Sequence, residues 1–202
     1  MPRPKQRTPE LAERVLQAGL RVLANEGAGA LTARRLAEEA ATSPAAIYEL
    51  FGDKVGVVRA MFFSGFERLA QQLGQPDTDP DDPIRALREL ALRYRAFVVS
   101  HPALTAVMFS RPFASFDPTP EEQAAGAAVR ERIVAAVQAA IDAKRLRGEA
   151  TDISHAFVAL IHGLAAAESS HRLGRSGAAV ARRWELAVGA LLTGFAHGTA
   201  AP

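Results

Sequence analysis

The run Ser43-Pro44-Ala45-Ala46, followed by Tyr48, combines residue types that suit contact with a nucleic acid. Ser43 can cap a helix and Pro44 fits a first helical turn, so a helix is predicted to begin here. Small side chains on its leading face would let the backbone come close to base edges in a DNA major groove, where alanine and proline can touch thymine methyl groups. The hydroxyl of Tyr48 can donate a hydrogen bond to a phosphate.

Three neighbouring residues complete this candidate DNA-binding set. Thr32 can add a hydroxyl or backbone-amide contact at the N-terminus of the preceding helix. Arg34, one turn into that helix, could donate two hydrogen bonds to O6 and N7 of a guanine. Lys54 lies in the first turn of the helix that follows, where it can pair with a phosphate. Glu49 has two open interpretations, since it could accept from a cytosine N4 amine or be an ordinary solvated side chain.

Helical periodicity and capping residues place this set in an N-terminal unit of short helices. Apolar residues step by three and four from Leu11 to Val22 after the cap Thr8, which predicts a first helix that ends near Gly27. The next three helices are predicted to begin at Thr32, Ser43 and Asp53 and to end near Ala40, Gly52 and Leu73. The resulting domains are a flexible basic arm at 1–7, a helix-turn-helix DNA-binding domain at 8–54 and a connecting helix at 55–74.

An acidic, proline-rich segment separates this unit from the rest of the chain. The sequence QPDTDPDDP at 75–83 holds four Asp and three Pro in nine residues, and a linker is assigned to 75–82. The domain at 83–202 is predicted to carry helices at 83–100, 103–109, 119–145, 152–173 and 176–196. No segment shows sustained period-two alternation, so the predicted fold class is all-α, with about nine helices and no sheet.

The composition excludes several classes of protein. With 202 residues and 49% hydrophobic content, the chain can bury a core and is not expected to be disordered. It has no cysteine, which removes disulfides, thiolate nucleophiles and cysteine-bound metals. No uninterrupted apolar run approaches the roughly 20 residues of a membrane span and the N-terminus lacks the apolar region of a signal peptide, so a cytoplasmic location is expected.

The small positive charge comes from the first third of the sequence. The net charge is +2, and residues 1–70 hold ten basic and eight acidic side chains while 71–202 hold fourteen of each. In the arm, Arg3, Lys5 and Arg7 alternate with prolines that oppose an early helix. Such an arm could reach DNA phosphates or a minor groove, or it could be a solvated terminus without a role.

The N-terminal unit resembles the tetracycline-repressor (TetR) family of bacterial transcriptional regulators. The matching residues are Leu31-Thr32-x-Arg34-x-Leu36-Ala37, Ser43-x-x-x-Ile47-Tyr48-x-x-Phe51 and Lys54, and the resemblance covers residues 8–54. It implies a helix-turn-helix homodimer that represses by occupying a palindromic DNA operator. It also implies a helical ligand-binding domain whose last two helices form the dimer.

Two features depart from the pattern of that family. Ala41 stands near the place of a glycine that usually forms the turn between the two helices. If Ala41 takes a positive φ, the strain costs about 1 kcal/mol, which a folded domain tolerates. Glu49 and Leu50 replace the aromatic or basic residue and the histidine that are common there.

An apolar cluster around a helix break is the candidate effector pocket. By the resemblance, a small and apolar effector would be bound there, and an apolar pocket with one or two polar groups is the usual form of such a site. His155 and His162 lie seven residues apart on one helix face, and one of them could be a polar partner in the pocket, a pH-sensitive switch or a structural histidine. The candidate pocket residues are Tyr94, Phe97, Val98, Met108, Phe109, Phe113, Phe116 and His162. The alternative is a filled core, which would leave a constitutive DNA-binding protein without a ligand.

The last two helices carry a candidate dimer interface. Small residues in the helix at 152–173 allow close helix approach, and the final helix is apolar over nearly half of its circumference. A two-fold four-helix interface would cover these faces, and packing within one chain is the alternative. The candidate interface residues are Gly163, Ala167, Ser170, Trp184, Val188, Leu191, Leu192 and Phe195.

Catalysis and metal binding have little support in the sequence. An all-helical enzyme acting on a small apolar substrate could use His155 or His162 as its base, but no nucleophile, base and orienting residue share a recognisable spacing. Glu168-x-x-His171 has the spacing found in di-iron bundles, yet such a site needs two of these motifs and two more carboxylates. We therefore predict no catalytic residue, no metal and no cofactor. The predicted partners are duplex operator DNA, a small-molecule effector and a second copy of the chain, without a membrane.

Overall fold

The computed structural model of the chain describes residues 8–74, 82–109 and 119–197, and these residues form helices without a strand. The predicted all-α fold is therefore confirmed. The helices are α1 (Pro9–Glu26), α2 (Ala33–Glu39), α3 (Pro44–Phe51), α4 (Lys54–Leu73), α5 (Pro83–Ser100), α6 (Pro102–Phe109), α7 (Pro120–Ala125), α8 (Ala127–Asp142), α9 (Ala150–Ser169) and α10 (Gly177–His197), with a short 3₁₀ turn at Ala28–Ala30. The predicted basic arm at 1–7, the linker at 75–82 apart from Asp82, and the pocket candidates Phe113 and Phe116 lie outside the described residues.

The predicted caps of the N-terminal helices are present. Thr8 Oγ1 accepts from the Leu11 backbone N–H at 3.2 Å and Thr32 Oγ1 accepts from Arg35 at 3.1 Å. The side chains of Ser43 and Asp53 cap α3 and α4 in the same way, at 3.2 Å and 2.8 Å. Each cap satisfies a backbone N–H that the first turn leaves without an intrahelical partner, so these local bonds fix where the helices begin.

Four boundaries in the second half differ from the prediction. The predicted helix at 119–145 is divided at Gly126, a residue type of low helix propensity, and its second part ends at Asp142. Helix α9 begins after Glu149, so the predicted first residue, Asp152, lies within its first turn. It ends at Ser169, short of the predicted Leu173, because His171 takes a left-handed φ of 57°.

The chain consists of two compact units, which divide it differently from the predicted domains. The described part of unit 1 comprises residues 8–67, 101–109 and 119–125, so α6 belongs with the N-terminal helices. Its buried side chains include Leu11, Val15, Val22, Leu36, Ile47, Met61, Leu104 and Val107. Helices α4 and α6 approach closely at Gly65, where an added Cβ would lie 2.6 Å from Sδ of Met108.

Unit 2, whose described residues are 68–74, 82–100 and 126–197, is a bundle in which α5 packs against α8, α9 and α10. Its buried side chains include Leu87, Leu90, Tyr94, Phe97, Ile133, Val137, Ile153, Phe157, Ile161 and Trp184. Among the described helices, α9 is long and apolar enough to cross a bilayer by length and composition alone. Its large side chains Phe157 and Ile161 are buried within the unit.

Candidate nucleic-acid interface

Helices α2 and α3 are joined by a tight turn at residues 40–43. Ala41 adopts a left-handed φ of 51°, and the Thr42 backbone N–H donates to the Ala37 carbonyl at 2.9 Å. Ala41 therefore has the positive φ considered for it in the sequence analysis. The turn, together with the Ser43 cap, sets the direction in which α3 leaves α2.

Most of the predicted DNA-binding residues lie on the surface of this helix pair. Thr32, Ser43, Pro44, Ala45 and Lys54 are exposed, Tyr48 is 58% exposed, and the side chain of Arg34 is 87% exposed. The leading face of α3 is therefore small and accessible, with a tyrosine hydroxyl near it. This surface has the shape and the donors that contact with a major groove requires.

The placement of Ala46 on the outer face of α3 is wrong. Ala46 is only 7% exposed and lies beside the fully buried Ile47 on the inner face of the helix. Its backbone N–H serves the Ser43 cap. Helix α3 has only eight residues, which is about two turns, so few of its positions face the core. Ala46 is one of the positions that anchor the helix there.

Arg34 is held loosely by its own helix. Its Nε donates to Oε1 of Glu38 at 3.2 Å, and both side chains are largely exposed. An exposed ion pair of this kind contributes little to stability, so exchanging Glu38 for a base edge costs little. Arg34 can therefore leave Glu38 when a stronger acceptor comes near.

An ion-pair network that sequence reasoning missed ties α2 to α1. The Arg35 guanidinium donates to Glu26 and to Glu39 at 2.8 Å each, and Arg21 donates to Glu39 at 2.8 Å. Hydrogen bonds from Arg21 and Arg35 hold the pKa of the Glu39 carboxyl below its usual value, and the hydrogen bonds that Arg35 donates to Glu26 and Glu39 raise the pKa of Arg35. Only the i, i+4 spacing of Arg35 and Glu39 could have revealed part of this network.

The predicted pocket residues fall in both compact units. Tyr94, Phe97 and Val98 are buried on α5 in unit 2, where the Tyr94 hydroxyl lies 2.8 Å from Nδ1 of His162. Burial raises the pKa of the Tyr94 phenol, so the phenol stays protonated, and the tautomer of His162 sets which of the two groups donates this hydrogen bond. Met108 is buried and Phe109 is 40% exposed on α6 in unit 1. His155 is exposed and bonds to the Thr151 carbonyl.

The predicted dimer residues also separate into two groups. Trp184, Val188 and Leu192 are at most 4% exposed, so unit 2 buries these three side chains within its own chain. Gly163, Ala167, Ser170, Leu191 and Phe195 keep partial or full exposure. The width of the apolar face of α10 thus reflects packing against α5 and α9 as well as an accessible side.

No group of three His, Asp or Glu side chains that could hold a metal ion occurs in the described ranges. Glu168, which the i, i+3 pattern pairs with His171, bonds to other residues. Its carboxylate accepts two hydrogen bonds from Arg95 and one from the Trp184 indole. These bonds give the carboxylate a structural role that joins α5, α9 and α10.

Two family profiles match the chain. The profile "Bacterial regulatory proteins, tetR family" matches residues 15–61. The profile "Tetracyclin repressor-like, C-terminal domain" matches residues 87–191, which is 105 of the 202 residues. The chain belongs to the TetR family. It is therefore a bacterial-type transcriptional regulator with a DNA-binding helix-turn-helix domain, as the resemblance implied.

Solved structures of similar fold span nearly the whole chain. A protein of unknown function from Rhodococcus sp. RHA1 is 24% identical with a TM-score of 0.78, over 96% of this chain and 100% of that one. The fatty acid degradation regulator FadR from Bacillus halodurans is 11% identical with a TM-score of 0.76, over 93% and 97% of the two chains. A complex of SmeT with triclosan is 22% identical with a TM-score of 0.71, over 91% and 90%; SmeT is a repressor from Stenotrophomonas maltophilia. No curated protein sequence matches the chain.

Ala41→Gly should stabilise this TetR-family regulator. Glycine adopts the left-handed φ without the steric cost that alanine carries, although its more flexible unfolded chain offsets part of the gain. We expect the free energy of unfolding to rise by about 0.5–1 kcal/mol. Urea unfolding of the two proteins measures it, and Ala24→Gly, at an exposed site within α1, should instead destabilise the protein.

Proposed function

We propose that this regulator is a homodimeric, cytoplasmic repressor that occupies a palindromic operator and leaves it when a small apolar molecule binds. The observation that carries the proposal is the exposed leading face of α3, formed by Ser43, Pro44 and Ala45, with Tyr48 beside it. Two copies would place their α3 helices in successive major grooves, about one helical turn of DNA apart. No catalytic role is proposed.

The proposed contacts divide into two kinds. Arg34 and residues 43–45 read base edges. The side chain of Arg34 is 87% exposed and can donate to a base, and the small residues at 43–45 permit close approach of the helix. Thr32, Tyr48 and Lys54 hold phosphates and thereby fix the register of the helix on the duplex. Ala46 supports α3 from the inside and contacts no base.

Salt-dependent binding of three variants separates these two roles. Tyr48→Phe and Lys54→Ala should weaken binding to all sequences, and Lys54→Ala should reduce the slope of log affinity against log salt by about 1. Arg34→Ala should lower the preference for the operator over a duplex with the contacted guanine changed, by roughly 1–3 kcal/mol. Unchanged base preference in Arg34→Ala would remove Arg34 from the reading set.

The exposed sides of α9 and α10 support a two-fold interface. Leu186 is 64% exposed on α10, and Ala190 is exposed one turn further along. On α9, the exposed residues Ala159, Gly163 and Ala166 follow one another at helical spacing. The proposed interface therefore centres on Leu186 and these small residues, with Ala167, Ser170, Leu191 and Phe195 around them. Trp184, Val188 and Leu192 support it from within the chain.

Leu186→Glu should convert the dimer into a monomer. A carboxylate at the centre of a desolvated interface is left without a partner, and the loss should exceed about 2 kcal/mol of association free energy. Light scattering after size exclusion measures the mass, and operator affinity should fall with it because only one half-site is then held. Val99→Glu is the control, since Val99 is 55% exposed on α5, a helix that carries none of the residues assigned to the dimer. A Leu186→Glu protein that remains dimeric contradicts the interface.

The effector is proposed to bind near Tyr94 and His162. The buried Tyr94 and the partly exposed His162 form a polar pair in unit 2, and the buried Phe97 and Val98 lie on the same helix as Tyr94. An apolar effector with one polar group could exchange hydrogen bonds with either partner. The similar structures include a fatty acid degradation regulator and a complex of a regulator with triclosan, and these names support an apolar effector.

Thermal shift with a library of small apolar molecules tests the effector. A ligand at 100 times its dissociation constant should stabilise the protein by about 2.7 kcal/mol, and Tyr94→Phe should reduce that gain for ligands with a polar group. The same ligand should release the operator, because it acts through its preference for one of the two dimer geometries. Absence of any stabilising molecule would favour a constitutive regulator with a filled core.

A further inference from the structure

A cleft on the surface of unit 2 lies between α5 and α10. Its volume is about 190 Å³, and it is lined by Arg88, Ala91, Leu92, Trp184, Glu185 and Val188. This volume exceeds that of the engineered 150 Å³ cavity that holds benzene, and it is below the range of about 300–1,000 Å³ typical of drug-sized ligands. The cleft therefore has room for a single ring with short polar substituents.

The cleft is apolar at its base and carries one charge of each sign. Ala91, Trp184 and Val188 are buried side chains of the two helices, and Leu92 is half exposed. Arg88 and Glu185 are both exposed and contribute a guanidinium and a carboxylate. Within the described part of the chain, neither of these two groups makes a salt bridge or a hydrogen bond. Both remain available to a ligand.

The indole of Trp184, which lines the cleft, is held in place by residues that do not line it. Trp184 Nε1 donates to Oε2 of Glu168 at 2.7 Å, and the Arg95 guanidinium carbon lies 5.7 Å from the centre of the indole ring. The same Glu168 carboxylate accepts two hydrogen bonds of 2.8 Å from Arg95. The polar atom of the indole is therefore satisfied away from the cleft, and the cleft is rigid on this side.

We propose that this cleft is a second ligand site, which binds a single-ring zwitterion whose carboxylate pairs with Arg88 and whose ammonium pairs with Glu185. The ring would rest on Leu92, Val188 and the edge of Trp184. Charge complementarity selects a zwitterion, because an anion or a cation alone leaves one of the two opposite charges unpaired. The site is separate from the proposed effector site at Tyr94 and His162 and does not depend on DNA binding.

Trp184 provides a direct test, since it is the single tryptophan of the sequence. Titration of the full chain with L-phenylalanine should give a saturable change in tryptophan emission in the millimolar range, because phenylalanine does not absorb where tryptophan is excited. The probes 3-phenylpropionate and 2-phenylethylamine each lack one charged group and should bind about tenfold more weakly. Equal binding of either probe overturns the zwitterion assignment, and no saturable change with L-phenylalanine overturns the site.

Two pairs of variants show whether the ligand lies in the cleft. Gly189→Met places a side chain beside Arg88, whose guanidinium lies 4.0 Å from the position of a Cβ at Gly189, and should block binding. Gly194→Met is the control on the same helix, where a Cβ meets nothing within 4 Å. Arg88→Gln should weaken L-phenylalanine binding about tenfold, while Arg85→Gln should not, since Arg85 pairs with Glu89 outside the cleft. An emission change that persists in Gly189→Met would place the ligand elsewhere and overturn the proposal.

Discussion

Ala45→Glu is expected to lower operator affinity at least about 100-fold, or roughly 2.7 kcal/mol, while the domain stays folded. Ala45 is exposed on the leading face of α3, where a longer acidic side chain would separate the helix from the base edges and repel phosphates. The same carboxylate lies in the first turn of α3, where the helix dipole favours negative charge. The helix itself should therefore be as stable as before or slightly more stable.

The control for this variant is the same substitution at an exposed alanine in unit 2. Ala135→Glu on α8 changes the net charge equally but leaves the candidate interface intact. Fluorescence anisotropy of labelled operator gives the affinities, and thermal unfolding gives the stability. Wild-type affinity in a folded Ala45→Glu protein would mean that the leading face of α3 does not enter the groove.

Glu168→Ala should cause a large loss of stability in unit 2. It removes the acceptor of both Arg95 hydrogen bonds and of the Trp184 indole, and it leaves a partly buried guanidinium and a buried N–H without partners. Unsatisfied groups of this kind cost about 1–3 kcal/mol each, and more when charged, so we expect unfolding to become easier by about 3–4 kcal/mol. Urea unfolding followed by Trp184 emission measures the change.

The exposed carboxylate Glu131 on α8 offers the comparison for that variant. Glu131→Ala should change the free energy of unfolding by less than about 0.5 kcal/mol, because surface substitutions away from special contacts are nearly neutral. Glu168→Gln retains an acceptor for the indole but loses the charge. Its loss of unfolding free energy should therefore lie between those of Glu131→Ala and Glu168→Ala. A Glu168→Ala protein as stable as Glu131→Ala would show that the cluster does not hold the helices together.

The same carboxylate contributes a defined pH dependence. Hydrogen bonds from Arg95, and then from Trp184, lower the pKa of Glu168 below its ordinary 4.5. Because the folded-state pKa is the lower one, this contribution to stability is complete above about pH 4.5 and is lost as the pH falls through the folded value. The difference in stability between wild type and Glu168→Gln should therefore shrink on acidification below that pH.

The parts of the fold that depend on neighbouring residues could be predicted from the sequence. The caps Thr32, Ser43 and Asp53 act on backbone N–H groups three residues away, so their position in the sequence determines their partners. The left-handed φ of Ala41 agrees with the family resemblance, which places Ala41 near a turn position that usually holds glycine. These local rules, combined with the resemblance of residues 8–54, predicted a candidate DNA-binding surface whose residues are exposed, apart from the buried Ala46.

Contacts between distant residues could not be predicted. Arg95 and Glu168 are 73 positions apart, and no residue next to either of them in the sequence indicates that they form an ion pair. Likewise, the apolar pattern of α10 does not distinguish packing within the same chain from packing against a second copy. Only the folded unit shows that Trp184, Val188 and Leu192 face inward while Leu186 faces outward.

Selection of bound sequences from a random duplex library shows whether α3 reads DNA in a dimer. The expected result is an enriched palindrome whose half-sites lie about one helical turn apart, bound by two chains per duplex and lost in Ala45→Glu. Binding without an enriched sequence, or enrichment that Ala45→Glu leaves unchanged, would contradict the assignment of α3 as the reading helix of a dimeric repressor.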